Sequence, residues 1–135
     1  MSEIKTDKLT GTSTAGSILV TGEGNSTTTN LQQGLAKAWV TFDGTASGAT
    51  VRDSFNVAST DDDGTGLYGV NFSSAMVNAN YSSVCNRASF ASTTAGGANA
   101  CTVTAGSITK LQTYDSNGTL GDRDNNTAHV LGDLA

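Results

Sequence analysis

From Lys37 onward, apolar side chains recur at every second position. Ala38, Val40 and Phe42 alternate with Trp39 and Thr41. Tyr68, Val70 and Phe72 share one parity in Leu67–Phe72, as do Phe55 and Val57 in Ser54–Ser59. A period of two places one set of side chains on each face of a strand, and a helix cannot satisfy it. Further strands are predicted at Tyr81–Phe90, Ala100–Thr104, Ile108–Tyr114 and Ala128–Leu131, with turns at Asp43-Gly44, Ala105-Gly106-Ser107 and Asp115-Ser116-Asn117-Gly118. Asp61-Asp62-Asp63-Gly64-Thr65-Gly66 is read as the acidic tip of a hairpin, and Ala95-Gly96-Gly97-Ala98-Asn99 as a loop. About seven short strands at this spacing predict an all-β fold, an antiparallel β-sandwich of jelly-roll or immunoglobulin-like type.

Composition agrees with the period. Gly, Ser, Thr, Asn and Ala supply 79 of the 135 residues, and the 21 Thr favour strands because a β-branched side chain suits a pleated surface. Only four Phe, three Tyr and one Trp are present, so the core is thin and oligomerisation is expected to add the missing burial. With no Pro, turns rest on Gly, Asn and Asp.

Residues 1–36 break the pattern. Ile4, Leu9 and Ile18-Leu19-Val20 are apolar islands in a polar Thr-, Ser- and Gly-rich stretch. Such a segment buries too little to offset its ordering entropy. It is predicted to be an extended N-terminal attachment arm that docks on neighbouring subunits, followed by a β-sandwich domain over residues 37–135. Asn30 is placed to cap a short helix over Leu31–Ala36, weakened by Gly34.

The chain carries a net charge of −5. Without a basic patch no nucleic-acid footprint exists, and without a long apolar run no membrane insertion is expected. Residues 1–30 lack the apolar core of a signal peptide, which predicts synthesis in a cytosol. In that reducing setting Cys85 and Cys101 are expected to stay reduced, as small buried thiols without a shared disulfide.

Enzymatic chemistry finds little to work with. His129 is the one histidine, and nucleophilic catalysis usually needs a base of that kind. Its place beside Val130 and Leu131 marks it as a strand residue, and only three copies around a trimer axis would make it a metal ligand. Ser59-Thr60-Asp61-Asp62-Asp63-Gly64 spaces oxygen donors like a calcium loop, yet Val70 stands where the closing Glu belongs. Asp122-Arg123-Asp124-Asn125-Asn126 has alternating oxygens too, with Thr127 in place of the required Gly. Both Glu residues lie in the arm, so no glycosidase pair forms there, and no Gly-rich loop leads into a helix to cradle phosphate. The sequons at Asn71 and Asn117 are expected by chance in such a composition. The expectation is no catalytic residue, no cofactor and no bound metal. Tyr68 and Tyr114, taken as exposed beside Asp and Asn, are the candidates for a carbohydrate contact.

Several segments then point to a family. Gly34–Thr45, Val51–Val57 followed by Asp63–Tyr68, Asn71-Phe72 through Met76, and Asn78–Tyr81 resemble a module of tail-fibre-type virion structural proteins of marine bacteriophages. The opening Ile4–Leu9 is similar to the leader of such proteins, and Gly132-Asp133-Leu134-Ala135 to their usual end. The resemblance covers most of residues 1–81 and the last few; residues 82–127 lie outside it. It implies a virion protein assembled in the host cytoplasm, a homotrimer, no enzymatic role, and attachment to other virion proteins through residues 1–36. A tail or head fibre that meets a host surface glycan or protein is the role expected first, and a capsid decoration protein the second. The start at Met1 adds the expectation of a stand-alone subunit.

Overall fold

A computed structural model describes residues 3–14, 18–22, 24–88 and 97–135. The chain divides into two compact units, Met1–Leu35 and Ala36–Ala135. All regular structure among the described residues is β, and all of its pairing is antiparallel.

The first unit folds a small hairpin, β1 (Leu19–Thr21) with β2 (Thr28–Asn30). Asn25, at φ 54°, reverses the chain, and Gly22 N–H donates to Thr27 O at 2.8 Å. The segment is therefore not extended throughout. No described residue of this unit is buried. The helix expected over Leu31–Ala36 is a turn instead. Asn30 Oδ1 does accept the Gln32 N–H at 2.9 Å, as a cap would, and Leu35 N–H reaches Gln32 O at 3.2 Å. One turn fixes several dihedrals for few hydrogen bonds, and Gly34 raises that cost, so the helix does not propagate.

The second unit is a two-layer sandwich. One sheet runs β4-β3-β10-β7: β4 (Thr50–Phe55), β3 (Ala38–Asp43), β10 (Asn125–Leu131) and β7 (Ser82–Ala88). The other runs β5-β6-β9-β8: β5 (Val57–Gly64), β6 (Leu67–Phe72), β9 (Ser107–Tyr114) and β8 (Gly97–Thr104). Alternation decides which side chains go inside. Ala38, Val40 and Phe42 of β3 and Ala128 and Val130 of β10 meet Tyr68, Val70 and Phe72 of β6 and Ile108 and Leu111 of β9. Phe42 and Tyr68 pack edge to face across the layers, ring centroids 5.1 Å apart. Two bulges adjust the parity. Thr109 and Lys110 both stay outside so that Ile108 and Leu111 both point in, and Arg52 is the extra residue of β4. Arg52 pairs there with Asp43 at 2.7 Å.

Two loop expectations are corrected. Asp61, Asp62, Asp63 and Gly64 belong to β5, and the turn is only Thr65-Gly66. The reason is position: β5 is an edge strand, so its backbone pairs with β6 while the carboxylates stay in water, which also blocks pairing with another chain. Gly97–Asn99, read as loop, begins β8, because Gly97, Ala98 and Asn99 pair with Tyr114, Thr113 and Gln112. Residues 95 and 96 lie outside the described part. The strand read as Ser54–Ser59 is two strands broken at Asn56, whose φ of 55° carries the chain from one sheet to the other.

Candidate functional site

At one end of the sandwich a polar cluster closes the core. Tyr68 is fully buried, and its hydroxyl donates to Asp122 Oδ1 at 2.9 Å, with Gly44 O at 3.2 Å. The same Asp122 oxygen accepts the Gly66 N–H at 2.7 Å. Thr113 Oγ1 donates to Gly121 O at 2.7 Å, and Asn126 Nδ2 to Arg123 O at 2.9 Å. Burial first, and the Asp122 carboxylate second, push the Tyr68 hydroxyl well above its usual range. Tyr68, Asp122 and Thr113 fix loops against strands here, while Asn126 Oδ1 and Arg123 Nε are buried without a hydrogen-bond partner among the described residues. The cluster ties the loops at this end to β6, β9 and β10, with Tyr68 and Thr113 buried and Asp122 at the surface.

The residues that the sequence puts forward are spread apart. Tyr68 belongs to that cluster, so it is no exposed carbohydrate platform; its parity with Val70 and Phe72 takes it into the core. Tyr114 is half-buried and its hydroxyl is bonded to Gln112 Oε1. Asp61 accepts the Asn71 amide at 2.7 Å on an exposed face, which occupies the sequon residue Asn71 as well. Asp122 is engaged as described, while Asn125 and Asn126 begin β10. Among the described residues, no three His, Cys, Asp or Glu side chains converge as a metal site needs. Cys85 is half-buried against the core. The expectation about its pairing involves Cys101, whose side chain lies outside the described part.

Electrostatics is local elsewhere too. The Thr45 hydroxyl, then the Thr45 N–H, then Arg52 hold Asp43 below the usual carboxylate range. The N–H groups of Thr119 and Asn117, both 2.8 Å from Asp115 Oδ1, do the same for Asp115. Burial raises Tyr81 to about 12, and its hydroxyl donates to Ser107 O at 2.9 Å.

What the sandwich does present is a flat face with an apolar row. The outward positions of the β4-β3-β10-β7 sheet align Phe55, Trp39, His129 and Val84, each directly opposite the next in register. His129 thus stands in the open, between the only Trp and an exposed Val, because Ala128 and Val130 take the inward positions. Two residues along, a second row reads Asp53, Thr41, Thr127 and Asn86. On the other side of the apolar row lie Leu131 and Ser82. Sequence reasoning assigned Trp39 and Phe55 to strands but could not find the row, since β10 joins β3 across some ninety residues of chain. Among the described residues, this face and the exposed Ile4, Leu9, Leu19, Val20 and Leu35 are candidate recognition surfaces. Compared with known proteins, the chain matches no family model, no curated protein and no solved structure.

Proposed function

We propose that this chain is a structural subunit of a bacteriophage virion, a tail or head fibre or appendage protein that attaches through residues 1–36 and carries the sandwich outward. One observation supports the attachment role most directly. The first unit has no buried residue among those described, and Ile4, Leu9, Leu19, Val20 and Leu35 are all exposed, Ile4 at 87%. Burying an apolar side chain of this size contributes about 1.5–3 kcal/mol, while ordering each backbone residue costs about 1–2 kcal/mol. Such a segment gains a fixed place only against a surface that is already assembled. The resemblance to fibre-type virion modules, over most of residues 1–81 and the last few, suggests the kind of assembly: a homotrimer among other virion proteins, with a glycan or protein of the host surface as the outward contact. No catalytic step is part of this role.

The test is a density map of the intact particle. A subunit of this fold projecting from tail or head, with residues 1–36 ordered in a neighbour, is the expected result. The same fold lying flat on the shell would make it a capsid decoration protein, and absence of the chain from purified particles would reject both roles.

A further inference from the structure

We propose that the outer face of the β4-β3-β10-β7 sheet is a self-association surface, packed in the assembled protein against the same face of a second copy. The inference stands on the sandwich alone, does not depend on the virion role, and pairs copies about a two-fold axis, as an alternative to the three-fold assembly of that role.

In a chain so poor in large apolar residues, the placement of Trp39 and Phe55 outside the core is costly. Phe55 is 51% exposed, Val84 63% and Leu131 43%, on one face and around one row. Trp is enriched at the centre of protein interfaces. The aliphatic members, Val84 and Leu131, extend the apolar row past its aromatic residues and argue for another apolar surface as occupant. The size of the face sets the strength of the contact. Four strands about 4.8 Å apart and three outward rows about 6.8 Å apart give a face of about 19 by 20 Å. Two copies then cover about 800 Å² in projection, below the about 1,200 Å² of stable complexes, which fits a weak, concentration-dependent pairing.

The pattern of residues also selects a symmetry. A two-fold axis lying in the interface, parallel to the strands and between β3 and β10, reverses the order of strands in the partner. Trp39 of one copy then lies over His129 of the other, and Phe55 over Val84. In the neighbouring row Asp53 falls opposite Asn86, whose amide can donate to it, and Thr41 opposite Thr127. No like charges meet, which matters for a chain of net charge −5. Packed sheets cross at about 30°, so the central Trp39–His129 pair is matched best and the flanking pairs less closely. Isologous contacts of this type are the commonest way for soluble chains to pair.

The experiment is sedimentation of the full chain over a range of concentrations, with F55D alone, V84K alone, and the two variants mixed. The wild type should associate, and each single variant should associate at least about tenfold more weakly. The mixture should recover, because the introduced carboxylate of one chain then faces the introduced ammonium of the other while Phe55 and Val84 still meet on the far side. Circular dichroism checks that each variant is folded, and both positions are exposed enough for that. L19S/V20S, measured alongside, separates association through residues 1–36 from association through the sheet. A wild type that stays monomeric, or single variants that associate unchanged, would overturn the proposal. So would variants that dissociate without recovery on mixing, or a monomer whose Trp39 fluorescence responds to oligosaccharides, which would assign the face to a glycan.

Discussion

The Tyr68 hydroxyl and the Asp122 carboxylate, 54 residues apart in the chain, are joined by a 2.9 Å hydrogen bond that ties β6 to the loop before β10. The acceptor oxygen is shared with the Gly66 N–H, so one carboxylate holds a side chain and a turn together. Hydrogen bonds to charged groups contribute about 1.5–3 kcal/mol. Tyr68→Phe is therefore expected to cost about 1.5 kcal/mol in urea unfolding. Asp122→Ala should cost more, because it leaves the Gly66 N–H without its acceptor and the Tyr68 hydroxyl with only Gly44 O.

Alkaline pH should weaken the sandwich through the same side chain. In the folded state Tyr68 and Tyr81 keep their protons to higher pH than the ordinary value of about 10. Their contribution is fully present below about pH 10 and is lost as pH rises through the folded-state value. For Tyr81 the window runs from about 10 to about 12. Stability measured across it should fall with pH, and Tyr68→Phe and Tyr81→Phe should each flatten the decline.

Three glycines separate strain from crowding. A β-carbon on Gly44 would sit 2.6 Å from Tyr68 Cζ and 2.7 Å from Asn126 Nδ2. One on Gly66 would meet backbone, Gly121 N at 2.6 Å and Thr113 O at 2.7 Å, at a φ of +66°. Gly118 has φ +80° but open space around it. Gly118→Ala should cost about 1 kcal/mol from left-handed strain alone, and Gly44→Ala about 1–3 kcal/mol from overpacking. Gly66→Ala combines both and should be the most damaging. Thermal unfolding resolves these, at about 4–8 °C per kcal/mol for a domain of this size.

The acidic strand should be nearly neutral. Asp61, Asp62 and Asp63 are exposed on the edge strand β5, and their bonds to Asn71 and Gly64 are surface bonds. Replacing all three by Asn is expected to shift stability by no more than about 1 kcal/mol. A melting temperature that climbs on adding calcium would show instead that the carboxylates bind a cation.

What the sequence made legible was local. Leu67–Phe72 reads as β6 without error because Tyr68, Val70 and Phe72 are apolar at every second position and Thr65-Gly66 marks the turn before them. Lys37–Phe42 reads as β3 to within one residue for the same reason. Two of the misses came where local backbone conformation decided the outcome. Asn56 in a left-handed conformation splits one apparent strand into β4 and β5, and Asn30 caps a turn that never becomes a helix. The exposed row was illegible for a different reason. Phe55 and Trp39 are neighbours through a hairpin, but His129 and Val84 join them only through the long-range order β3-β10-β7, which no spacing along the chain encodes.

Asn56 also has a consequence for how the molecule would carry load. Its side-chain amide donates to Lys37 O and to Ser74 O, both at 3.0 Å, and its Oδ1 accepts the Ser74 N–H at 2.7 Å. Lys37 N–H in turn donates to Val130 O at 2.7 Å. Tension pulled through the N-terminal segment enters the sandwich at this residue. There it meets a rivet to the corner between the sheets and then β3, a central strand bonded on both sides. Drawn along its own axis, β3 would have to shear its ladders to β4 and β10 together, whereas a strand at the rim could be unzipped one bond at a time. Under such a load β3, bonded on both sides, would resist more than the edge strands β4 and β7 of its sheet.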